Sequence, residues 1–570
     1  MHYAVLLTLA SFFTGSLKAA QNAILEGERA HPVVGSSGMV VTSHHLATRT
    51  AHKVLKKGGN AIDAAVTAGF VLAVTQPRSG NIGGGGFMVV SSEKKGLVET
   101  IDYREKAPAA ATRDMFLDKN GEVDKPLSRF SHKSAGVPGT VYGLLLALER
   151  YGTISRKEAL APAILYAKKG FVLPPRFVNG VKRAKGWLLK WPSSRRVFLK
   201  PDGSYYKPGE VFIQKELAAT LERISKLGIE GFYKGKTADL LVAQMQKHGG
   251  LIDKKDLRDY RALVRAPVRG RYRGYDVYSM PSPSSGGVHV IQLLNILEGY
   301  PIGELGHNSA QTIHIMAEAM KRAYADRATY MGDQDFVNVP VEGLISKPYG
   351  THLRSLIKEN ATKSSTVKAG TPKAYESEET THFSIVDNMG NAVSNTYTIN
   401  FSYGSGIVVE GAGFLLNNEM DDFSAKPNVA NSYGLIGGKA NQIEPKKRML
   451  SSMSPTIVLK DGKNFLITGS PGGSRIITTT LQVILNVIDH KMNIQSAVNA
   501  PRIHHQWWPD EIRIEAGISL DTKRILAAKG HKVVQKSAMG AIQSIHIPQK
   551  GQFLGGADPR RSTSLALGVD

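Results

Sequence analysis

The sequence predicts an α+β or layered α/β/α protein, because a helix-rich first two thirds gives way near residue 380 to alternating strands and one apolar helix. Length and composition agree, since 570 residues with 42% hydrophobic and 21% charged content can bury a sizeable core and exclude a disordered chain. A chain of this size holds about two to four domains or one unusually large α/β unit, because single cores stop growing near roughly 250–300 residues. No internal repeat is evident, which argues against a solenoid or propeller.

The elements follow in order. An apolar run from Ala4 to Leu17, followed by Ala19 and Ala20, has the layout of a secretory signal, so residues 1–20 are expected to be a leader, although no Lys or Arg precedes the run. His45–Gly58 and Gly59–Thr75 are Ala-rich and helical, with Asn60 and Asp63 near the start of the second. The Gly-rich turn Gly80–Gly86 leads into a strand beginning at Phe87. Helices are expected at Lys157–Lys169, Lys215–Leu227, Thr237–Lys247 and Ser309–Met331, the last long and amphipathic, so this part reads as mostly α. Lys358–Glu379 is rich in Lys, Ser, Thr, Pro and Glu without an apolar period, the composition of an exposed linker. Beyond it, strands are expected at Thr381–Val386, Ala392–Asn400, Ser452–Leu459 and Asn464–Thr468, then a helix over Ser474–His490.

Several chemistries are excluded or disfavoured. The absence of cysteine removes disulfides, thiolate metal sites and thiol nucleophiles, and with the leader it fits export to a bacterial periplasm. His44-His45 and His504-His505 lack the helical i,i+4 spacing that aims two imidazoles at one metal, so no metal is expected. No G-x-S-x-G elbow occurs. Gly231 to Thr237 approaches a P-loop but has one residue too few between its glycines and a helical pattern before it. The formal charge of +24 lies mostly upstream, as residues 380–570 hold only 19 basic against 14 acidic side chains. Lys182–Lys200 interleaves cations with Trp187 and Trp191, which suits either an anionic surface or a solvated basic face, and no nucleic-acid fold signature accompanies it.

Three clusters carry more. Gly469-Ser-Pro-Gly-Gly-Ser474 lies between a strand and a helix, where successive N–H groups form a concave positive site able to hold an oxyanion. Asn417 to Phe423 concentrates carboxylates and carboxamides suited to an ammonium group. Ser451, Ser452 and Arg104 offer hydroxyls and a guanidinium fork that could complement a carboxylate.

Taken in order, these islands resemble the γ-glutamyltranspeptidases, self-processing enzymes of the N-terminal nucleophile hydrolase class, and most closely the bacterial periplasmic members. The likeness spans nearly the whole chain after the leader. It runs through Gly59-Asn-Ala-Ile-Asp, Gly80-Asn-Ile-Gly-Gly-Gly-Gly, Asp102-Tyr-Arg-Glu-Lys-Ala-Pro, Ala135-Gly-Val-Pro-Gly-Thr, Pro283-Ser-Ser-Gly-Gly, Thr380-Thr-His-Phe-Ser, Leu416-Asn-Asn-Glu-Met-Asp-Asp, Ser451-Ser-Met-Ser-Pro-Thr and the Gly469 turn.

The resemblance implies a four-layer αββα sandwich built jointly by two subunits, with extra helices in the larger. It implies self-cleavage of the Glu379–Thr380 bond into a large subunit, 21–379, and a small catalytic subunit, 380–570. Thr380 would be the nucleophile and its freed α-amine the base, an amine of pKa about 7.7–8.0 being far nearer neutrality than a lysine. Thr398 would orient Thr380, and Gly472 and Gly473 would supply oxyanion donors. Arg104, Ser451 and Ser452 would face the α-carboxylate of the substrate, Asn400, Glu419 and Asp422 its α-ammonium, and Tyr433 would cover the bound glutamyl group as part of a lid. Implied donors are glutathione, glutamine and other γ-glutamyl compounds, and implied acceptors are water, amino acids and dipeptides. No cofactor is implied. The processed heterodimer is expected to pair further into a dimer of heterodimers. A cephalosporin or glutaryl acylase of the same superfamily is the nearest alternative, and an inactive anionic-surface-binding protein is the alternative from another class.

Overall fold

The computed structural model describes residues 31–372, 382–427 and 429–570, so the expected leader and the Glu379–Thr380 bond lie outside the described residues. The architecture is mixed α+β, built on two seven-stranded antiparallel sheets. One sheet runs from edge to edge through Val33–Gly35, Gln552–Ala557, Gln543–Gln549, Lys463–Thr468, Thr456–Lys460, Tyr275–Ser279 and Val268–Tyr272. The other runs through Leu565–Val569, Gly38–Thr42, Phe383–Asp387, Asn391–Thr398, Gly85–Ser92, Leu97–Tyr103 and Leu263–Arg265. Each sheet therefore interleaves strands from before and after the linker.

Strand alternation sorts side chains among three cores. Val40, Ile385 and Val393 pack with the helices of the first part, Val458 and Leu466 pack with a second helical group, and their neighbours Met39, Val41, Val386, Ile457 and Ile467 meet in a core shared by the two sheets. The helix Ala61–Thr75 is started by a reciprocal cap, in which the Asn60 side chain accepts from the Ile62 and Asp63 N–H groups and Asp63 accepts from Asn60 N–H. The Ala61 N–H donates to Asp387 Oδ2 at 2.8 Å, which fastens that helix start to the end of strand Phe383–Asp387.

The first part is less purely helical than its sequence reads, holding nine strands before the linker among the described residues. The helix Ala310–Tyr330 also departs from expectation, because 18 of its 21 residues are buried and it has no solvated polar face. Its charges are satisfied internally: Glu318, fully buried, accepts from Lys321 Nζ at 2.9 Å, Arg322 Nη1 at 2.8 Å and the Thr362 N–H at 3.1 Å. Burial pushes the Glu318 carboxyl up, but these donors and charges prevail and hold it at about 2 against an ordinary 4.5. A depressed folded-state value contributes stability that is present above the ordinary carboxylate range and is lost as pH falls towards the folded value. Glu318→Gln should therefore lower the thermal unfolding midpoint at pH 7 by the equivalent of about 3 kcal/mol. The gap to the wild type should narrow steadily as scans move from pH 4.5 towards pH 2.

The described part of the linker, to residue 372, is mostly exposed and pinned at Ser364 and Val367, whose carbonyls accept from Trp507 Nε1 at 2.9 and 3.1 Å. The P-loop-like stretch is two consecutive helices, Glu230–Tyr233 and Gly235–His248, with no strand before it. Among the described residues there is no grouping of three or more metal-ligating side chains, and no helix is long and apolar enough to cross a membrane.

Candidate active site

Ten of the eleven site residues implied by the sequence lie among the described residues, and all ten line one cavity of about 930 Å³, within the roughly 300–1,000 Å³ usual for small-molecule sites. They arrive from separate elements. Arg104 follows strand Leu97–Tyr103, Thr398 ends strand Asn391–Thr398, Glu419 and Asp422 bracket a single 3₁₀ turn, and Gly472 and Gly473 stand between strand Lys463–Thr468 and helix Ile476–Ile488. Thr380, the eleventh, lies outside the described residues.

The centre of the site is a buried charge cluster. Arg104, fully buried, donates from Nη1 to Glu419 Oε2 at 2.6 Å and to Glu105 Oε2 at 3.4 Å, from Nη2 to Asp422 Oδ2 at 2.6 Å, and from Nε to Met449 O at 3.2 Å. The fork expected to face a substrate carboxylate is thus engaged by the carboxylates expected to face an ammonium. Three carboxylates around one guanidinium leave the cluster short of positive charge. Burial pushes Glu105 up to about 7 despite Arg104, and burial together with Glu105 and Asp422 pushes Glu419 well above its ordinary value against the pull of Arg104. Among the described residues, Oε1 of Glu105 and Oε1 of Glu419 are buried acceptors without a hydrogen bond. A cation entering here would supply both the missing charge and the missing donors.

In the same cavity, Gly472 and Gly473 adopt φ of +146° and +59°, conformations that favour glycine. A Cβ on Gly473 would stand 2.4 Å from Tyr433 Cδ1, so the half-buried Tyr433 ring lies directly against this turn. Tyr433 Oη donates to Asn400 O at 3.1 Å, and its ring meets Phe401 edge-on at 5.7 Å between centroids. Asn400 itself has φ +69°, donates its N–H to Thr398 Oγ1 at 2.7 Å and its Nδ2 to Asn418 O at 2.9 Å. Ser452 Oγ accepts from Arg327 Nη2 at 3.1 Å, and Ser451 O accepts from Ser285 Oγ at 2.8 Å.

The structure also gives positions and partners to Asn81, Asn417 and Arg327, none of which the resemblance implied as a site residue. Asn81 donates to Thr398 O at 2.9 Å and accepts from the Gly84 N–H at 2.7 Å and Thr140 Oγ1 at 3.0 Å, so the Gly-rich turn holds the end of the Thr398 strand. Asn417 accepts from the Gly136 and Glu419 N–H groups at 2.9 and 3.0 Å and donates to the Gly83 and Gly136 carbonyls at 2.9 and 2.8 Å, fixing the start of the acidic turn. The glycines of the tract serve close backbone packing, a Cβ on Gly84 falling 2.0 Å from Thr398 O. Arg327 lies in helix Ala310–Tyr330, whose charged residues give it an amphipathic pattern in sequence. The only local signals were the Asn within Gly80-Asn81-Ile82-Gly83 and the paired Asn417-Asn418.

Comparison with known proteins places this arrangement. The fold matches the crystal structure of a cephalosporin acylase from Bacillus halodurans with a TM-score of 0.85 at 30% identity, over 95% of this chain and 98% of that one. It matches γ-glutamyltranspeptidase of Helicobacter pylori with a TM-score of 0.57 at 45% identity, over 61% of this chain and 97% of that chain. In sequence, the chain is 51% identical to the glutathione hydrolase proenzyme of Escherichia coli (strain K12) over 540 residues, which is 94% of this chain and 93% of that protein. The γ-glutamyltranspeptidase family model matches residues 47–568, and the chain belongs to that family.

Proposed function

We infer that the chain is a self-processing γ-glutamyltransferase and glutathione hydrolase that cleaves γ-glutamyl amides. The observation that carries this reading is the Arg104 cluster, deficient in positive charge and holding two unpartnered carboxylate oxygens, in one cavity with the Gly472–Gly473 turn. The γ-glutamyl head brings both an ammonium, which the Glu419–Asp422 side takes, and a carboxylate, which falls to Arg104, Ser451 and Ser452. The neighbouring γ-carbonyl then meets the Gly472 and Gly473 N–H groups.

The reaction has two halves. The Thr380 hydroxyl attacks the γ-carbonyl while its own α-amine takes the hydroxyl proton, the oxyanion is held by the glycine N–H groups, and the C–N bond breaks as the leaving amine receives that proton. Water or an acceptor amine then attacks the ester and gives a proton to the α-amine, which passes it to the departing Thr380 oxygen as the ester C–O bond breaks, and glutamate or a new γ-glutamyl amide leaves. Strand Phe383–Asp387 pairs with strand Asn391–Thr398, Phe383 lying opposite Asn395, which supports Thr398 as the orienting partner of the nucleophile.

Processing at Glu379–Thr380 would leave a large subunit and a small catalytic subunit within one intertwined four-layer αββα body. The strands interleaved in both sheets and the core shared between the sheets support this. So does the Helicobacter pylori chain, which is 97% matched by only 61% of this one. Export to the periplasm follows from the expected leader. The acylase reading has the cephalosporin acylase likeness in its favour, yet a glutaryl side chain has no ammonium for the Arg104 cluster.

The test is a denaturing gel with N-terminal sequencing. From 61.7 kDa over 570 residues, two bands near about 40 and 20 kDa are expected, the smaller beginning Thr-Thr-His-Phe. A small band with any other start, in material that still cleaves glutathione, would overturn the proposal. Gly473→Ala forces a Cβ into Tyr433 at an unfavourable φ. It should lower kcat/KM for γ-glutamyl-p-nitroanilide roughly 10²-fold, the scale of losing one oxyanion donor.

A further inference from the structure

The linker has a loose composition, yet its backbone is held at intervals by helix Ala310–Tyr330. His314 Nε2 donates to Lys358 O at 2.8 Å, Lys321 Nζ donates to Thr362 O at 2.6 Å while Glu318 accepts the Thr362 N–H, and Arg322 Nη2 donates to Leu356 O. Further along, Asp326 Oδ1 accepts the Gly370 N–H at 2.8 Å and Tyr330 Oη donates to Gly370 O at 2.6 Å. All of these bonds end on linker backbone. The side chains of Lys363, Ser365, Thr366 and Lys368 stay exposed, so the hold leaves no apolar period in the sequence.

His314, Glu318, Arg322, Asp326 and Tyr330 stand four residues apart and form one ridge of the helix, about 24 Å long at 1.5 Å per residue. Lys358, Thr362 and Gly370 meet that ridge in order, so the linker travels along it towards the helix C-terminal end. That end borders the catalytic cavity: Arg327, which lies in sequence between the two residues that hold Gly370, lines the cavity and donates to Ser452 Oγ at 3.1 Å. Asp326 is fully buried, and its carboxylate is met by Gly370 N–H, by Gln292 Nε2 at 2.6 Å and by Tyr349 Oη at 2.9 Å, so the linker itself supplies part of what a buried charge needs. Gly370 fits closely, since a Cβ there would stand 2.1 Å from Tyr349 Oη. Beyond the expected cut the chain is fixed again at His382, a buried residue whose Nε2 donates to Gln543 O at 2.7 Å. Residues 371–381 separate the two anchors, and the Glu379–Thr380 bond lies among them.

We propose that this ridge is a guide for self-cleavage, and that Asp326 and Tyr330 are positioning residues which, by fixing Gly370 near the end of the helix that borders the cavity, set the approach of the Glu379–Thr380 bond to the groups that cleave it. It rests on the self-processing reading above. Fixing both ends of a short segment leaves it fewer arrangements, and so brings the bond more often within reach of those groups. The guide acts before the cut, and turnover by the mature site needs neither residue.

The test follows the full-length chain, freshly made by cell-free synthesis, on a denaturing gel over time, and compares the wild type with Gly370→Ala and Tyr330→Phe. The first change forces a Cβ against Tyr349 from the linker side, and the second removes one donor from the helix side. Each should slow the loss of the full-length band roughly tenfold, and each, once split, should turn over γ-glutamyl-p-nitroanilide within about twofold of the wild type. Splitting of both variants at the wild-type rate would overturn the guide. So would a matching loss of turnover in the split material, which would make these contacts part of the mature fold instead. Should either variant fail to fold, the rate of the other decides. If the wild type never splits, the self-processing reading itself fails. If it splits and the variants keep pace with it, only the guide is lost.

Discussion

Thr380→Ala is expected to run as a single band near full length and to cleave γ-glutamyl-p-nitroanilide roughly 10⁴- to 10⁶-fold more slowly than the wild type. Two losses coincide in this one change. The hydroxyl that opens the Glu379–Thr380 bond is gone, and without the cut position 380 carries an amide rather than an α-amine, so the site has neither nucleophile nor base. The strand that begins at Phe383 is placed to withstand such a cut. Phe383–Asp387 is hydrogen-bonded to Gly38–Thr42 on one side and Asn391–Thr398 on the other, so the segment following the cut is held from both flanks. Asn81 in turn fixes the far end of Asn391–Thr398 through Thr398 O. Thr380→Ser retains hydroxyl and amine, and should still give two bands and measurable turnover. A single-banded Ser variant, or an Ala variant that splits normally, would contradict a hydroxyl-driven cleavage.

What the sequence discloses depends on how local each signal is. Helix Ala61–Thr75 is legible because Asn60 and Asp63 make its cap within four residues, and Lys215–Leu227 because its apolar stripe has a clean period. Strand Gly38–Thr42 is buried at every residue and Leu263–Arg265 has only three, so neither shows the alternation that betrays a half-buried strand. In Ala310–Tyr330 the charges imitate a solvated face, and only the Glu318 pairings, with Thr362 among them, reveal a buried one. The site divides similarly. Its residues stand in recognisable motifs, whereas the contacts of Arg104 with Glu419 and Asp422 span 315 and 318 positions and leave no trace in any local pattern. Motif reading therefore names the members of the cluster without disclosing that its cation and anions bind one another.

That pairing makes Asp422 the sharpest probe of substrate recognition. Removing Arg104 would leave Glu105, Glu419 and Asp422 buried without their cation, at a cost of about 3–5 kcal/mol that would obscure any effect on binding. Asp422 stands at the edge of the cluster, with 14% of its side chain exposed, and Asp422→Asn keeps its shape while removing its charge. The substrate ammonium then meets a cluster with one negative charge fewer, and kcat/KM for γ-glutamyl-p-nitroanilide should fall roughly 10³-fold, about 4 kcal/mol. Processing should be unaffected, since both bands depend on Thr380. Glutaryl-p-nitroanilide, which has the same side chain without the ammonium, should lose little or gain, so the ratio of the two donors collapses in the variant. Retention of the wild-type ratio in a fully processed Asp422→Asn enzyme would mean that the ammonium is recognised elsewhere, and it would bring the acylase reading forward.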